Sequence, residues 1–174
     1  MRYFDELCRA MNWLAEQEDT IFVGQGVVDG GVFMSGTLAG VPLDKKVEWP
    51  VTEAMQMGAS VGLGVGGYTC VSLFPRHNFI LLAMSELVNV LDKWLELTGT
   101  QPKIIIRTAV GTTRPIYPGV QHAGDFTEVL KNILTTVEVI DLPEASQIYE
   151  AYRHAYNKQG ATLLSEYGDY YAEK

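Results

Sequence analysis

Glu53 is the residue whose type and position most directly point to chemistry. It follows Trp49-Pro50-Val51-Thr52 and opens a segment, Ala54 to Pro75, that carries no charged side chain. Pro50 presets the backbone, Thr52 has the chemistry of an N-cap, and a carboxylate one residue later sits where a helix dipole favours it. Capping alone would account for that placement. The apolar surroundings add a second use, because burial raises a carboxyl pKa and keeps the group protonated, able to donate or share a proton.

His122 lies in the one long irregular stretch, Val110 to Asp125, and loops of that length in compact domains usually carry function. Histidine exchanges protons near neutral pH. His77 and His154 have no such setting and read as surface or satisfied core residues. Arg114, in the same loop as His122, has the charge to meet an anionic substrate, although an exposed loop arginine is the plainer reading. Cys8 and Cys70 lack the spacing of a metal site and the number of a disulfide framework, so two reduced thiols in a cytoplasmic protein are expected. Magnesium needs oxygen ligands in near-octahedral array, and the sequence offers none, so no metal site of this chain's own is expected.

Composition narrows the partners. With 174 residues, 47% of them hydrophobic, the chain has material for one core, and a single domain over 1–174 is expected. A formal charge of -8, from 13 basic against 21 acidic side chains without a Lys/Arg cluster, argues against nucleic acid or an anionic membrane as partner. The uncharged run 54–75 is long enough to raise the question of a membrane span, which takes about 20 residues. Its glycines at 58, 62, 64, 66 and 67, followed by Tyr68 to Leu73, instead predict a close-packed helix, a turn and a buried strand. Gly58 and Gly62 would let that helix approach another backbone.

The elements that must position Glu53 and His122 follow from periodicity. Tyr3 to Gln17 has helical spacing, and Ile21-Phe22-Val23 is a short apolar strand. The next segment, Gly24-Gln25-Gly26-Val27-Val28-Asp29, tempts one towards a dinucleotide fingerprint but puts Asp29 in place of the third glycine. Asn78 to Leu97 reads as one long helix with Phe79, Leu82, Met84, Leu87, Val90, Leu91, Trp94 and Leu95 available for burial. Lys103 to Ala109 is the clearest strand. Helices are expected over Phe126 to Leu134 and Pro143 to Lys158, and strands over Val137 to Ile140 and Thr162 to Ser165. Continuous apolar strands alternating with helices predict an α/β fold in three layers, a mostly parallel sheet with helices on both faces. In such a sheet ligands collect at the carboxyl ends of the strands, which places His122 at the ligand edge.

Pro50-Val51-Thr52-Glu53 with its small-residue helix, Asn78-Phe79, Asn89 and Gln121-His122 form an ordered set, with 26 positions from Glu53 to Phe79 and 43 from Phe79 to His122. In that set the chain resembles the pyrimidine-binding domain of thiamine diphosphate enzymes of the transketolase type, most closely the N-terminal domain of the pyruvate dehydrogenase decarboxylase beta subunit. The resemblance implies that Glu53 hydrogen-bonds the pyrimidine ring nitrogen of the cofactor and activates it by sharing a proton. It implies that Phe79 stacks on the aminopyrimidine and that His122 faces the reacting carbonyl as acid, base or hydrogen-bonding group, with Arg114 a further substrate contact. Set against the family, residues 1–174 match the pyrimidine-binding domain alone, so a single-domain subunit without the usual C-terminal domain is expected, and they carry no Gly-Asp-Gly with a downstream Asn of the kind that holds magnesium and diphosphate. A diphosphate-binding, alpha-type partner subunit would then supply the magnesium site, in a hetero-oligomer with two copies of each chain.

The expected function is that of the pyrimidine-binding subunit of a split thiamine diphosphate enzyme, with transketolase-like ketol or acyl transfer on 2-oxo or ketose substrates. A beta-type subunit of a 2-oxo acid decarboxylase or dehydrogenase, and a non-catalytic α/β binding module, are the alternatives.

Overall fold

The computed structural model describes residues 2–31, 33–111, 113–114 and 117–172. Among these, six strands form one all-parallel sheet: β1 (Thr20–Gly24), β2 (Lys46–Glu48), β3 (Thr69–Phe74), β4 (Ile104–Val110), β5 (Glu138–Asp141) and β6 (Ala161–Tyr167), in the order β2-β1-β3-β4-β6-β5. Every residue of β3 and β4 is buried, which is why these strands are mostly apolar rather than alternating. The expected three-layer architecture is the observed one.

Successive side chains of a strand point to opposite faces, and each face has its own helices. On one face α1 (Tyr3–Ala15) and α6 (Ala145–Asn157) bury Leu7, Met11, Leu14, Ile148 and Tyr152 against Phe22 and Ile105. On the other, α2 (Glu53–Val65), α3 (His77–Ile80) and α5 (Thr127–Ile133) bury Met57, Val61, Ile80 and Leu130 against Ile104 and Ile106. No helix among the described residues is long and apolar enough to cross a membrane.

The stretch expected as one helix over 78–97 winds continuously but changes pitch. α3 passes into a 3-10 turn, Leu81–Ala83, then a π-helical segment, Glu86–Leu91, and then α4 (Trp94–Thr98). The wide turn closes with the Asp92 N–H donating to the Leu87 carbonyl at 2.9 Å, and it turns Asp92 fully inward. There the carboxylate accepts the backbone N–H groups of Thr135, Thr136 and Val137 at 2.8, 2.8 and 3.0 Å. Burial opposes the Asp92 charge, but these amides outweigh it and hold its pKa well below the ordinary carboxylate value. The change of pitch spoils the simple helical stripe: Leu87 and Leu91 are buried, whereas Leu82, Val90 and Leu95 are exposed. The short edge strand β2 was not legible at all; its Lys46-Val47-Glu48 has one apolar residue between two charges.

Candidate active site

Three loops following β1, β2 and β3, together with the loop after β4, meet at one edge of the sheet. β1 is flanked by β2 on one side and β3 on the other, so the crevice outside their carboxyl ends is the topological switch point where open α/β sheets bind ligands. A cavity of about 170 Å³ lies there, lined by Gln25, Phe33, Met34, Ser35, Leu73 and Pro75. Phe33 holds φ at +70°, a left-handed conformation that costs a non-glycine residue on the order of 1–3 kcal/mol and that clusters at functional sites.

Glu53 starts α2 and is 7% exposed. Its Oε1 accepts from Gln25 Nε2 at 3.4 Å, which ties the first residue of α2 to the residue after β1. Thr52 occupies the N-cap position but makes no side-chain capping bond; its hydroxyl turns back to the Pro50 carbonyl at 3.4 Å. The helix is instead anchored from its buried side. Gln56 Nε2 donates to Ser72 Oγ at 3.1 Å and to the Leu73 carbonyl at 2.9 Å, and Ser60 Oγ donates to Ser72 Oγ at 2.9 Å. Gly58 and Gly62, expected to meet another backbone, face open space, while Gly64 is the one in close contact, against Pro102 and Ile104.

Phe79 and His122 come together. Their ring centroids are 5.3 Å apart with an interplanar angle of 39°, although 43 positions separate them. His122 ends a 3-10 turn, Val120–His122, and its Nδ1 is buried with no hydrogen-bond partner among the described residues. Asn78 Oδ1, beside Phe79 in the chain, is buried and unpartnered in the same way. The loop closes behind His122 by a bond from the Gly111 N–H to the Gly124 carbonyl at 3.2 Å. A Cβ on Gly111 would lie 2.2 Å from the Ala123 backbone, so only glycine fits that neck. Arg114 is exposed and is held by its backbone N–H, which donates to Asp169 Oδ1 at 2.8 Å. Glu53, Phe79 and His122 thus occupy one sheet edge, past β2, β3 and β4; Arg114 shares the loop of His122 without sharing its burial.

His77 is a satisfied core histidine, as its lack of setting suggested. It is 1% exposed, its Nδ1 accepts the Phe126 N–H at 2.9 Å, and its Nε2 therefore carries the proton and donates to Ser165 Oγ at 3.1 Å. Asp125 Oδ1 is 3.8 Å from Nδ1. The trio has the composition of a Ser-His-Asp triad but the wrong tautomer, since a general base must offer a lone pair to its serine. Burial brings the His77 pKa down to about 4, with Asp125 working weakly the other way.

The glycine-rich turn after β1 is already supplied with an anion. The N–H groups of Gly26 and Val28 donate to the two carboxylate oxygens of Glu48 at 2.5 and 3.0 Å, so these two amides of the turn are already engaged by a carboxylate. A second feature missed in the sequence is Arg107. Its side chain is fully buried on the α1/α6 face and donates to Glu166 Oε1 and Oε2 at 2.7 and 3.0 Å, to Tyr152 at 3.0 Å and to Thr37 at 3.0 Å. Tyr152 and Tyr171 also donate to Glu166. Burial opposes the guanidinium charge, but Glu166 outweighs it and holds the pKa well above its ordinary value.

A desolvated carboxyl, an aromatic ring and unpaired buried acceptors suit a flat, nitrogen-rich heteroaromatic group. Glu53 and Phe79 follow strands that lie two places apart in the sheet, on either side of β1. Among the described residues there is no group of three or more His, Cys, Asp or Glu side chains that could hold a metal ion.

No family model matches the chain, and no curated protein matches it. Among solved structures it is similar to one described as a split-gene transketolase, inactive beta4 tetramer, with a TM-score of 0.75 and 14% sequence identity over 97% of this chain and 52% of that one. The chain thus spans about half the length of that neighbour. At this identity the likeness is one of architecture: the chain has the three-layer, all-parallel α/β fold of the transketolase type.

Proposed function

We propose that the chain is the pyrimidine-binding subunit of a split thiamine diphosphate enzyme, with transketolase-like ketol or acyl transfer on 2-oxo or ketose substrates. The observation that carries this reading is the buried carboxyl of Glu53 on the same sheet edge as the Phe79–His122 pair. Glu53 would hold the ring-nitrogen proton, and the Gln25 amide would orient its carboxyl. Phe79 would offer its ring to the pyrimidine, and Asn78 Oδ1 stands ready to accept from an amino group. His122 Nδ1 would face the substrate carbonyl as a proton donor or acceptor. The chemistry the cofactor supplies when bound is a nucleophilic carbon for making or breaking a bond beside a carbonyl.

The diphosphate and its magnesium would be held by an alpha-type partner, a reading supported by Glu48, whose carboxylate already engages the Gly26 and Val28 amides of the glycine-rich turn. The surface for association would be the exposed apolar face of α2 and the adjoining turn, with Val51, Met55, Val65, Leu81 and Leu82, in an assembly of two copies of each chain. Gly62→Leu should leave the monomer folded and reduce assembly on size measurement; unchanged assembly would move the interface elsewhere. The function itself is tested by Glu53→Gln, which should abolish turnover in the assembled enzyme while sparing assembly, and near-normal activity would overturn the mechanism. Thiamine diphosphate at 100 times its dissociation constant should stabilise the assembled wild type by about 2.7 kcal/mol.

A further inference from the structure

The two ring-bearing residues of the site sit on segments that share no strand pairing. Phe79 lies two positions after His77 in α3, and His122 lies four positions before Phe126, at the start of α5. A single imidazole joins these segments: the Phe126 N–H donates to His77 Nδ1 at 2.9 Å, while His77 Nε2–H donates to Ser165 Oγ, at 3.1 Å, on β6. The Phe126 ring stacks on the imidazole with centroids 6.3 Å apart and 24° between planes. Between His122 and Phe126 the chain is tight, since a Cβ on Gly124 would come within 2.7 Å of the Phe126 ring. His77, Ser165 and the buried side of Phe126 have no exposed surface to trade for a looser arrangement.

We infer that His77 is a positioning residue that sets the approach of Phe79 to His122 through its bond to the Phe126 amide, with Ser165 serving only to hold the ring in place. The inference rests on the reading of Phe79 and His122 as ligand-facing residues. It assigns the two ring nitrogens separate duties, Nδ1 for the geometry of the site and Nε2 for anchorage.

Two substitutions separate those duties. In His77→Asn the side-chain oxygen stands near the place of Nδ1 and keeps the acceptor for Phe126, but does not reach Ser165. In His77→Gln the longer amide reaches towards Ser165 and leaves the Phe126 N–H without its partner. Proton and carbon spectra of the chain alone report the result, because the Phe79 ring current shifts the ring resonances of His122 and Phe79→Leu provides the unshifted reference. His77→Gln should speed exchange of the Phe126 amide on the order of tenfold, the value of one buried hydrogen bond, and move the His122 resonances towards the Phe79→Leu reference. His77→Asn should leave both close to wild type. Equal movement in the two variants, or unmoved His122 resonances in a folded His77→Gln, would overturn the inference. Should His77→Gln not fold, labelled wild-type protein decides: a nitrogen coupling across the hydrogen bond from Phe126 to His77 Nδ1 supports the assignment, and its absence overturns it. In the assembled enzyme, His77→Gln should lower kcat on the order of tenfold or more, with His77→Asn within about threefold; an equal loss in both overturns the positioning role. The resonance measurements need neither cofactor nor partner, so their failure counts against this inference, whereas absence of cofactor-dependent activity in wild type counts against the function proposed for the site.

Discussion

Arg107 and Glu166 face one another from adjacent strands, two residues out of register between β4 and β6 and on the same face of the sheet, with both side chains wholly removed from solvent and two hydrogen bonds of 2.7 and 3.0 Å between them. Removing one partner of such a pair leaves a buried charge without compensation. Glu166→Gln is expected to lower unfolding stability by about 3–5 kcal/mol, read from denaturant midpoints of the chain. Replacing both residues together, Arg107→Met with Glu166→Leu, should recover a large part of that loss, since the desolvation cost disappears with the charges. A double variant as unstable as the single one would show that the surrounding tyrosines, and not the ion pair, govern this region.

His77 gives stability a dependence on pH. An ordinary histidine takes up a proton below about pH 6.5, whereas burial keeps His77 neutral down to about pH 4, against the weaker pull of Asp125. The unfolded chain therefore binds the extra proton first. The stability associated with this group is fully present above pH 6.5 and falls by roughly 3 kcal/mol as the pH drops to about 4, with no further loss from it below that. Unfolding free energies of wild type and His77→Asn measured across this interval should differ in slope; parallel curves would remove His77 as the source.

Two glycines of the same helix should respond to alanine with opposite sign. A Cβ at Gly64 would stand 2.8 Å from Pro102 Cβ and 3.3 Å from the Lys103 N, so Gly64→Ala is expected to cost about 1–3 kcal/mol. At Gly62 nothing lies within 4 Å, and Gly62→Ala should stabilise the isolated chain by roughly 0.5–1 kcal/mol through the gain in helix propensity. Thermal melts of the two variants at low concentration test the pair. A destabilised Gly62→Ala would mean that this face is already covered in the isolated chain.

The sheet was legible because β3, β4 and β6 are buried on both faces and are rich in apolar residues, Ile104-Ile105-Ile106 above all, and Lys103 to Ala109 lies almost wholly within β4. Glu53 and its burial were legible for a related reason, since a lone charge beside 22 uncharged residues has to be accommodated somewhere. Two features escaped. The pitch of 78–97 depends on Asp92 meeting amides more than forty positions away, and no local period records such a bond. Arg107 read as an ordinary charge within a strand, because its partner Glu166 is 59 positions distant; the alternation that turns residue 107 to the face opposite Ile106 was the only available signal. The placement of His122 against Phe79 follows from the Gly111 neck and the His77 bond, neither of which spacing alone reveals.

The carboxylate of Glu48, held by the Gly26 and Val28 amides, has a directional consequence for anything entering the crevice. It places a fixed negative charge on the side of β1 and β2, close in sequence to Glu53, while the cavity walls by Leu73 and Pro75 are apolar. An elongated ligand with one neutral, hydrogen-bonding end and one anionic end therefore meets opposite receptions at its two ends. On the β1/β2 side an anionic group would meet the Glu48 carboxylate, whereas the guanidinium of Arg76, 5.1 Å from the centroid of the Phe33 ring, puts the opposite charge beside another wall of the cavity.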